Sequence, residues 1–116
     1  MRTISRFHYA TVLLDDAAFT SDEKLHSELA FKFGFPEWYD RNFDALLDCL
    51  SSIDDAHENL CAHWELHPGK RMAQIRDFSE TSANEGLLKK FAQTISDANE
   101  RLIHREHDVR IWVEFA

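Results

Sequence analysis

Three aspartates recur at intervals of four residues in the first half of the chain: Asp40, Asp44 and Asp48. Residues four apart share one face of an α-helix, so a helix over residues 42–50 would carry Asp44 and Asp48 on one side, with Asp40 just ahead of it. Like charges at this spacing repel by roughly 0.2–0.5 kcal/mol. Only one basic residue, Arg41, stands among them. Nothing nearby in the sequence therefore neutralises the row.

Two kinds of chemistry fit this row, besides the plain interpretation of a solvated acidic face. The carboxylates could hold Mg²⁺ through oxygen ligands, as in a carboxylate–metal phosphoesterase. Such sites work with substrate phosphates, however, and no Gly-rich loop or basic cluster stands nearby. The other chemistry is recognition of a basic protein, which suits the aromatic residues Trp38 and Tyr39 just before the row. The row therefore predicts a surface for a basic partner, with the metal site as a lesser alternative.

The histidines and cysteines do not form a metal framework. His104 and His107 are three residues apart, but they lie in a charged segment, residues 101–108, that is typical of a solvated helix end or turn. A structural zinc site would need a closed set of Cys and His ligands. Cys49 and Cys61 sit in apolar surroundings and are predicted to be buried free thiols. We therefore expect no metal and no cofactor.

The composition indicates one folded domain. The chain has 116 residues, 44% hydrophobic and 12% aromatic, which can form a core within a single domain over residues 1–116. Its net charge of −8 disfavours direct binding of nucleic acid, which needs clustered Lys and Arg, and favours a basic partner. No run approaches the roughly 20 apolar residues of a membrane span, and the N-terminus lacks the apolar core of a signal peptide. We therefore expect a cytoplasmic protein without membrane contact.

Hydrophobic patterning predicts an α/β fold. Aromatic and β-branched runs predict strands over residues 6–14, 59–66 and 108–115. Apolar residues at helical spacing predict helices from a cap at Thr20 or Ser21 to Gly34, and over residues 42–50, 71–78 and 84–101. Three strands connected by helices favour a small three-stranded parallel sheet with helical crossovers.

The core is predicted from the apolar residues of these elements. We expect it to contain Leu25, Leu29, Phe31, Phe33, Tyr39, Phe43, Leu46, Leu47, Leu50, Trp64 and Trp112. The sequence does not decide whether Trp38 is buried, because it lies in a connection beside the acidic row. It fits a lid over the core and an interface anchor equally well.

Two adjacent segments resemble the barstar family of ribonuclease inhibitors. Residues 35–39 read Phe-Pro-Glu-Trp-Tyr, and residues 42–50 read Asn-Phe-Asp-Ala-Leu-Leu-Asp-Cys-Leu. The family pattern is Pro-Glu-aromatic-Tyr, followed shortly by Asn-apolar-Asp-Ala-Leu-x-Asp-Cys-Leu. Weaker similarity in register extends through residues 60–64, 84–91 and 108–113, so the resemblance covers most of the chain.

In that family the second helix and its flanking loops cover the active site of a small basic ribonuclease. The resemblance implies that Asp48 is the central phosphate mimic and that Asp44 reaches a neighbouring basic residue. Around them it implies further contacts from Trp38, Asn42, Ser51 and Asp54. The implied protein is a one-to-one inhibitor of immunity or antitoxin type, without catalysis, whose partner is a basic ribonuclease or nuclease toxin.

Several positions depart from the family pattern. Asp40 stands where the family often has Gly, and Leu47 where its best-known member has Trp. Gln93 stands where the last helix has an acidic contact, but Asp97, one turn on, keeps a carboxylate nearby. We expect Asp40, Leu47 and Asp97 to recognise this protein's own partner. An acidic adaptor that binds a basic protein other than a nuclease is the alternative interpretation.

Overall fold

The computed structural model describes residues 9–14, 16–54, 60–62, 72–76, 85–107 and 109–113. The elements are β1 (Tyr9–Leu13), a 3₁₀ turn (Asp16–Phe19), α1 (Asp22–Phe33), α2 (Phe43–Ser51), β2 (Met72–Arg76), α3 (Glu85–His104) and β3 (Arg110–Val113). The predicted α/β class is confirmed. Trp64, and the parts of the predicted elements that fall in the gaps, lie outside the described residues.

The strands form one sheet in the order β1-β2-β3, and both neighbouring pairs are parallel. Tyr9 pairs with Met72, and Met72 pairs with Arg110. The sequence predicts a helix over residues 71–78, and this is wrong because residues 72–76 are the central strand. Met, Ala, Gln and Arg favour helices in isolation, but pairing on both sides holds this short segment extended.

The predicted second strand, residues 59–66, is not found where the structure describes it. Residues 60–62 have no strand structure. The Ala62 N–H instead donates to the Gly34 carbonyl oxygen at 3.1 Å, and Cys61 is buried. Cys61 therefore enters the core from a connection beside the end of α1.

α1 begins and ends at its predicted signals. The Ser21 hydroxyl oxygen accepts a hydrogen bond from the Lys24 N–H at 3.1 Å, which caps the first turn. Gly34 follows the last turn with φ 74°, and its N–H donates to the Ala30 carbonyl oxygen at 2.9 Å. Glycine adopts this left-handed conformation without a Cβ penalty. The chain therefore leaves the helix here and enters the connection to α2.

α2 is short and amphipathic. Asn42 is its N-cap, as predicted, and its Oδ1 accepts from the Ala45 N–H at 2.7 Å. Leu46, Cys49 and Leu50 are each at most 2% exposed. Full burial of one Leu side chain contributes roughly 1.5–3 kcal/mol, so this apolar side determines how the helix sits on the core.

α3 connects the sheet to α2. It packs against both α2 and β3. Asn99 joins α3 to β3, since its Nδ2 donates to the Ile111 carbonyl oxygen at 2.9 Å and its Oδ1 accepts from the Ile111 N–H at 2.8 Å. The buried side of α3 comprises Leu88, Phe91, Thr94, Ile95, Ala98 and Leu102.

Two core predictions are wrong. Phe31 is 71% exposed, because it lies about 200° around α1 from the buried Leu29 at 100° per residue. Trp112 is 55% exposed, because side chains alternate along a strand and Ile111 takes the buried side of β3. The core position of Tyr39 is confirmed at 6% exposure.

The turn after α3 contains a non-glycine residue in the left-handed region. Glu106 has φ 61°, and the following His107 N–H donates to the Leu102 carbonyl oxygen at 2.9 Å. We expect Glu106→Gly to raise the free energy of unfolding by about 0.5–1 kcal/mol, measured by chemical denaturation. Glu106→Ala is the control, because it removes the same side chain but keeps Cβ. Equal stability of the two variants would disprove backbone strain at this turn.

Candidate functional site

The exposed side of α2 carries the carboxylates of the aspartate row. Asp44 and Asp48 are exposed on the helix, and Asp40 is exposed in the loop that precedes it. The opposite side of α2 is buried, so the acidic side has to face solvent. Carboxylates on successive turns lie side by side and do not converge on one point. The row therefore presents negative charge outward.

Asp48 has an internal partner that the sequence did not reveal. Arg101 Nη1 on α3 lies 2.9 Å from Asp48 Oδ1. The Asp48 side chain is 71% exposed and the Arg101 side chain 42% exposed. Water competes for both groups, so such a pair contributes only about 0–1 kcal/mol to stability.

Two further contacts connect the end of α2 to the end of α3. Arg105 Nη1 donates to the Ser51 carbonyl oxygen at 3.2 Å, and His107 Nδ1 lies 2.7 Å from Asp54 Oδ1. Together with the Arg101–Asp48 pair, we call these contacts the α2–α3 clasp. The prediction of a solvated helix end or turn over residues 101–108 is confirmed where the structure describes it, because α3 ends at His104 and residues 103–106 are exposed. The clasp adds that Arg101, Arg105 and His107 also contact α2 or the residues just after it.

Ser51 is not part of the exposed surface. Its side chain is fully buried, and its hydroxyl donates to the Leu47 carbonyl oxygen at 2.6 Å. The expectation that its side chain forms a rim contact is therefore wrong, because Ser51 falls on the side of α2 that packs into the core. Asp54 does reach the surface, where its side chain is 27% exposed.

An open groove lies between α2 and α3 beside the clasp. Its volume is about 350 Å³, and it is lined by Leu47, Asp97, Glu100, Arg101 and His104. Two of these residues, Leu47 and Asp97, were predicted recognition residues on different helices. Gln93 Nε2 donates to Asp97 Oδ1 at 2.9 Å. The structure thus brings Asp97 to the same region as the α2 residues.

The loop between α1 and α2 presents Trp38 at the surface. Its side chain is 69% exposed, which excludes the lid over the core. The turn around it is closed by the Tyr39 N–H, which donates to the Pro36 carbonyl oxygen at 3.0 Å. Arg41 then adopts φ 55°, and its Nη1 donates to Ser27 Oγ at 3.1 Å. Both ends of the loop are therefore held by hydrogen bonds.

A buried histidine on α1 contacts the end of this loop. His26 on α1 is 1% exposed, its Nδ1 lies 2.6 Å from the Tyr39 hydroxyl, and its ring meets the Phe43 ring edge-on at 4.8 Å. Burial lowers the pKa of His26, opposed by Asp22 and assisted by Arg41 to smaller extents. Burial likewise raises the pKa of Tyr39. Neutral side chains therefore connect α1, the loop and the start of α2.

The predicted free, buried state of both cysteines is confirmed. The Cys61 thiol donates to the Cys49 carbonyl oxygen at 3.4 Å. Burial, with a smaller effect of Asp48, raises the pKa of the Cys49 thiol to about 11. Because the thiolate is the reactive form, this environment does not suit a nucleophile.

Neither a metal cluster nor a membrane span is found in the part of the chain that the structure describes. No three Asp, Glu, His or Cys side chains there are grouped so that they could hold a metal ion. His107 faces Asp54, whereas His104 lies 4.0 Å from Glu100. No helix in these ranges is long and apolar enough to cross a membrane.

Comparison with protein families gives a match that extends over most of the chain. The model of the family described as "Barstar (barnase inhibitor)" matches residues 9–116. The chain belongs to the barstar family. A curated relative from Bacillus subtilis (strain 168), named "Putative ribonuclease inhibitor YrdF", is 45% identical over 44 residues, which are 38% of this chain and 48% of that protein. This match thus covers less than half of either chain.

Arg101 is a residue of this candidate site that sequence reasoning missed. Its contact with Asp48 joins positions far apart in the chain and has no local signal. One indication was available, because Arg101 follows Asp97 by four residues and shares its side of α3. Because Asp97 is a predicted recognition residue, Arg101 could have been expected to lie on the same surface.

Acid should destabilise the protein through His26. The ordinary pKa of histidine is 6.5, and the folded state holds the pKa of His26 below this value. As pH falls through about 6.5, the unfolded chain binds this proton first. The stabilisation is complete above that pH and is lost toward the folded-state pKa. We therefore expect the free energy of unfolding of the natural protein to fall as the pH drops below about 6.5.

Denaturant titration across this pH range measures the effect. His26→Gln should lack this part of the pH dependence, because it has no titrating group there. His104→Gln is the control, since it makes the same substitution at a histidine whose side chain is 78% exposed. The interpretation fails if His26→Gln and the natural protein lose stability in parallel.

Proposed function

We propose that this barstar-family protein is a one-to-one inhibitor of a small basic ribonuclease and covers the enzyme's active site. The observation that carries the proposal is the acidic side of α2, which faces solvent because the other side is buried. The net charge of −8 supports attraction to a basic enzyme. The family description and the name of the relative, which refer to inhibitors of barnase and of ribonuclease, support the same partner class.

The proposed mechanism is imitation of an RNA phosphate by a carboxylate. A ribonuclease binds phosphate through cationic side chains, and Asp48 would accept charge-assisted hydrogen bonds from them. Close charge pairs of this kind in a dry interface can contribute several kcal/mol. Asp44, one turn away, would meet a neighbouring basic residue. RNA is excluded because its binding site is occupied, and no bond is made or broken.

The other proposed contacts surround α2. They are Trp38 and Asp40 in the preceding loop, Asn42 at the N-cap, Leu47 and Asp97 at the groove, and Asp54 at the rim. Trp38 suits the role of an anchor, because an exposed aromatic side chain can fill a pocket of the partner. Leu47 leaves room beside Asp97 for a partner side chain, since the groove there is open.

Inhibition of this kind fits an immunity or antitoxin protein, which protects the cytoplasm from a ribonuclease or nuclease toxin. A plain adaptor would bind a basic protein through the same face and leave RNA cleavage unaffected. An assay of RNA cleavage therefore separates the two functions.

The test is titration of this protein into barnase and other small basic ribonucleases during RNA cleavage. Cleavage by a cognate enzyme should stop at one equivalent. Asp48→Ala should then weaken binding by more than about 2 kcal/mol, or roughly 30-fold. Its melting temperature should stay near the natural value, because the Asp48 side chain is 71% exposed.

Glu85→Ala is the matched control. It removes another exposed carboxylate, at the start of α3, where the side chain is 55% exposed. It should reduce affinity only slightly, through the change in net charge. Equal effects of the two variants would remove Asp48 from the mechanism. Binding without loss of cleavage would favour the adaptor, and absence of inhibition throughout the panel would refute the proposed function.

A further inference from the structure

The Arg101–Asp48 contact occupies the carboxylate on which the proposed function depends. One hydrogen bond of 2.9 Å joins Nη1 to Oδ1, and both side chains are well exposed to water. The contact is therefore weak and readily exchanged. A partner cation that approaches Asp48 meets the positive charge of Arg101, and like charges on one carboxylate repel each other. Binding of the cation is therefore weaker while Arg101 stays on Asp48 and stronger once Arg101 moves away.

A second carboxylate lies on the same helix within reach of Arg101. Asp97 precedes Arg101 by four residues, the spacing at which acidic and basic side chains meet on a helix, and acid before base is the favourable order. Both residues line the groove of about 350 Å³. Asp97 accepts one hydrogen bond, from Gln93. A carboxylate has about four acceptor positions, so Asp97 retains capacity for Arg101.

We propose that Arg101 is an internal competitor for Asp48, which holds this carboxylate in the free protein and transfers to Asp97 when a partner's arginine replaces it. The proposal rests on the proposed function, because it concerns the carboxylate that would bind the ribonuclease. In the free protein, Arg101 offsets the repulsion between Asp44 and Asp48. In the complex, the charge of Arg101 is paired with Asp97, and Arg101 no longer contacts Asp48.

The competing role would be positioning, in which Arg101 holds Asp48 in the orientation that binds. The two roles predict opposite effects of removing the side chain. Loss of a competitor strengthens binding of a cation, whereas loss of a positioning contact weakens it. The known range for exposed ion pairs limits the gain to about fivefold.

The first experiment uses a hexa-arginine peptide as the probe and needs no ribonuclease. Its affinity is measured by NMR, from the shift of the Asp48 carboxyl carbon, for the natural protein, Arg101→Ala and Lys90→Ala. Lys90 is exposed on the same helix, about 16 Å from Arg101 along the axis, so both variants lose one positive charge. Arg101→Ala should bind the peptide about two- to fivefold more tightly than Lys90→Ala. Equal or weaker binding would overturn the proposal.

A double-mutant cycle tests the transfer to Asp97. In the natural background, Asp97→Asn removes the site that receives Arg101 as well as any direct contact with the probe. In the Arg101→Ala background, only the direct contact is lost. Asp97→Asn should therefore weaken peptide binding more in the natural background. Equal losses in the two backgrounds would show that Arg101 does not transfer to Asp97.

The same variants, titrated against a ribonuclease that the natural protein inhibits, separate this proposal from the proposed function. If no ribonuclease is inhibited but Arg101→Ala binds the peptide more tightly, the proposed function fails and the competition at Asp48 stands. If a ribonuclease is inhibited and Arg101→Ala binds both enzyme and peptide no more tightly than Lys90→Ala, the competition fails and the proposed function stands.

Discussion

The orientation of α2 depends on the burial of one side of a nine-residue helix. Leu46, Cys49 and Leu50 pack into the core, and their burial contributes several kcal/mol. Repulsion between Asp44 and Asp48 costs only a few tenths of a kcal/mol, so packing dominates and the carboxylates face solvent. Because α3 covers the apolar side of α2, the last turns of α3 lie beside the acidic side of α2. The same packing therefore presents both carboxylates and supplies the clasp that contacts Asp48.

The features with local signals could be predicted from the sequence. Ser21 and Gly34 marked the ends of α1, and Asn42 marked the start of α2, because capping is decided by a few neighbouring residues. The buried and exposed sides of α2 followed from helical spacing. The exposure of Trp112 could also have been predicted, because Trp112 lies on the same side of its strand as Arg110. An aromatic residue is typical of a core, but here the alternation along the strand decides.

The features that depend on distant residues could not be predicted. Residues 72–76 form the central strand only because β1 and β3 pair with them on both sides. Arg101 meets Asp48 only because α2 and α3 pack together, and neither segment indicates the register of that contact. His26 lies among the buried residues of α1, where spacing predicts burial but does not reveal its hydrogen bond to Tyr39.

A structure of the complex with a ribonuclease that this protein inhibits tests the central claim most directly. The account predicts that α2 lies across the enzyme's active site and that the Asp48 carboxylate is about 3 Å from the cationic side chains that bind the RNA phosphate. It also predicts that Arg101 has left Asp48. A complex in which the active site stays open, or in which another face of the protein makes the contact, would contradict it.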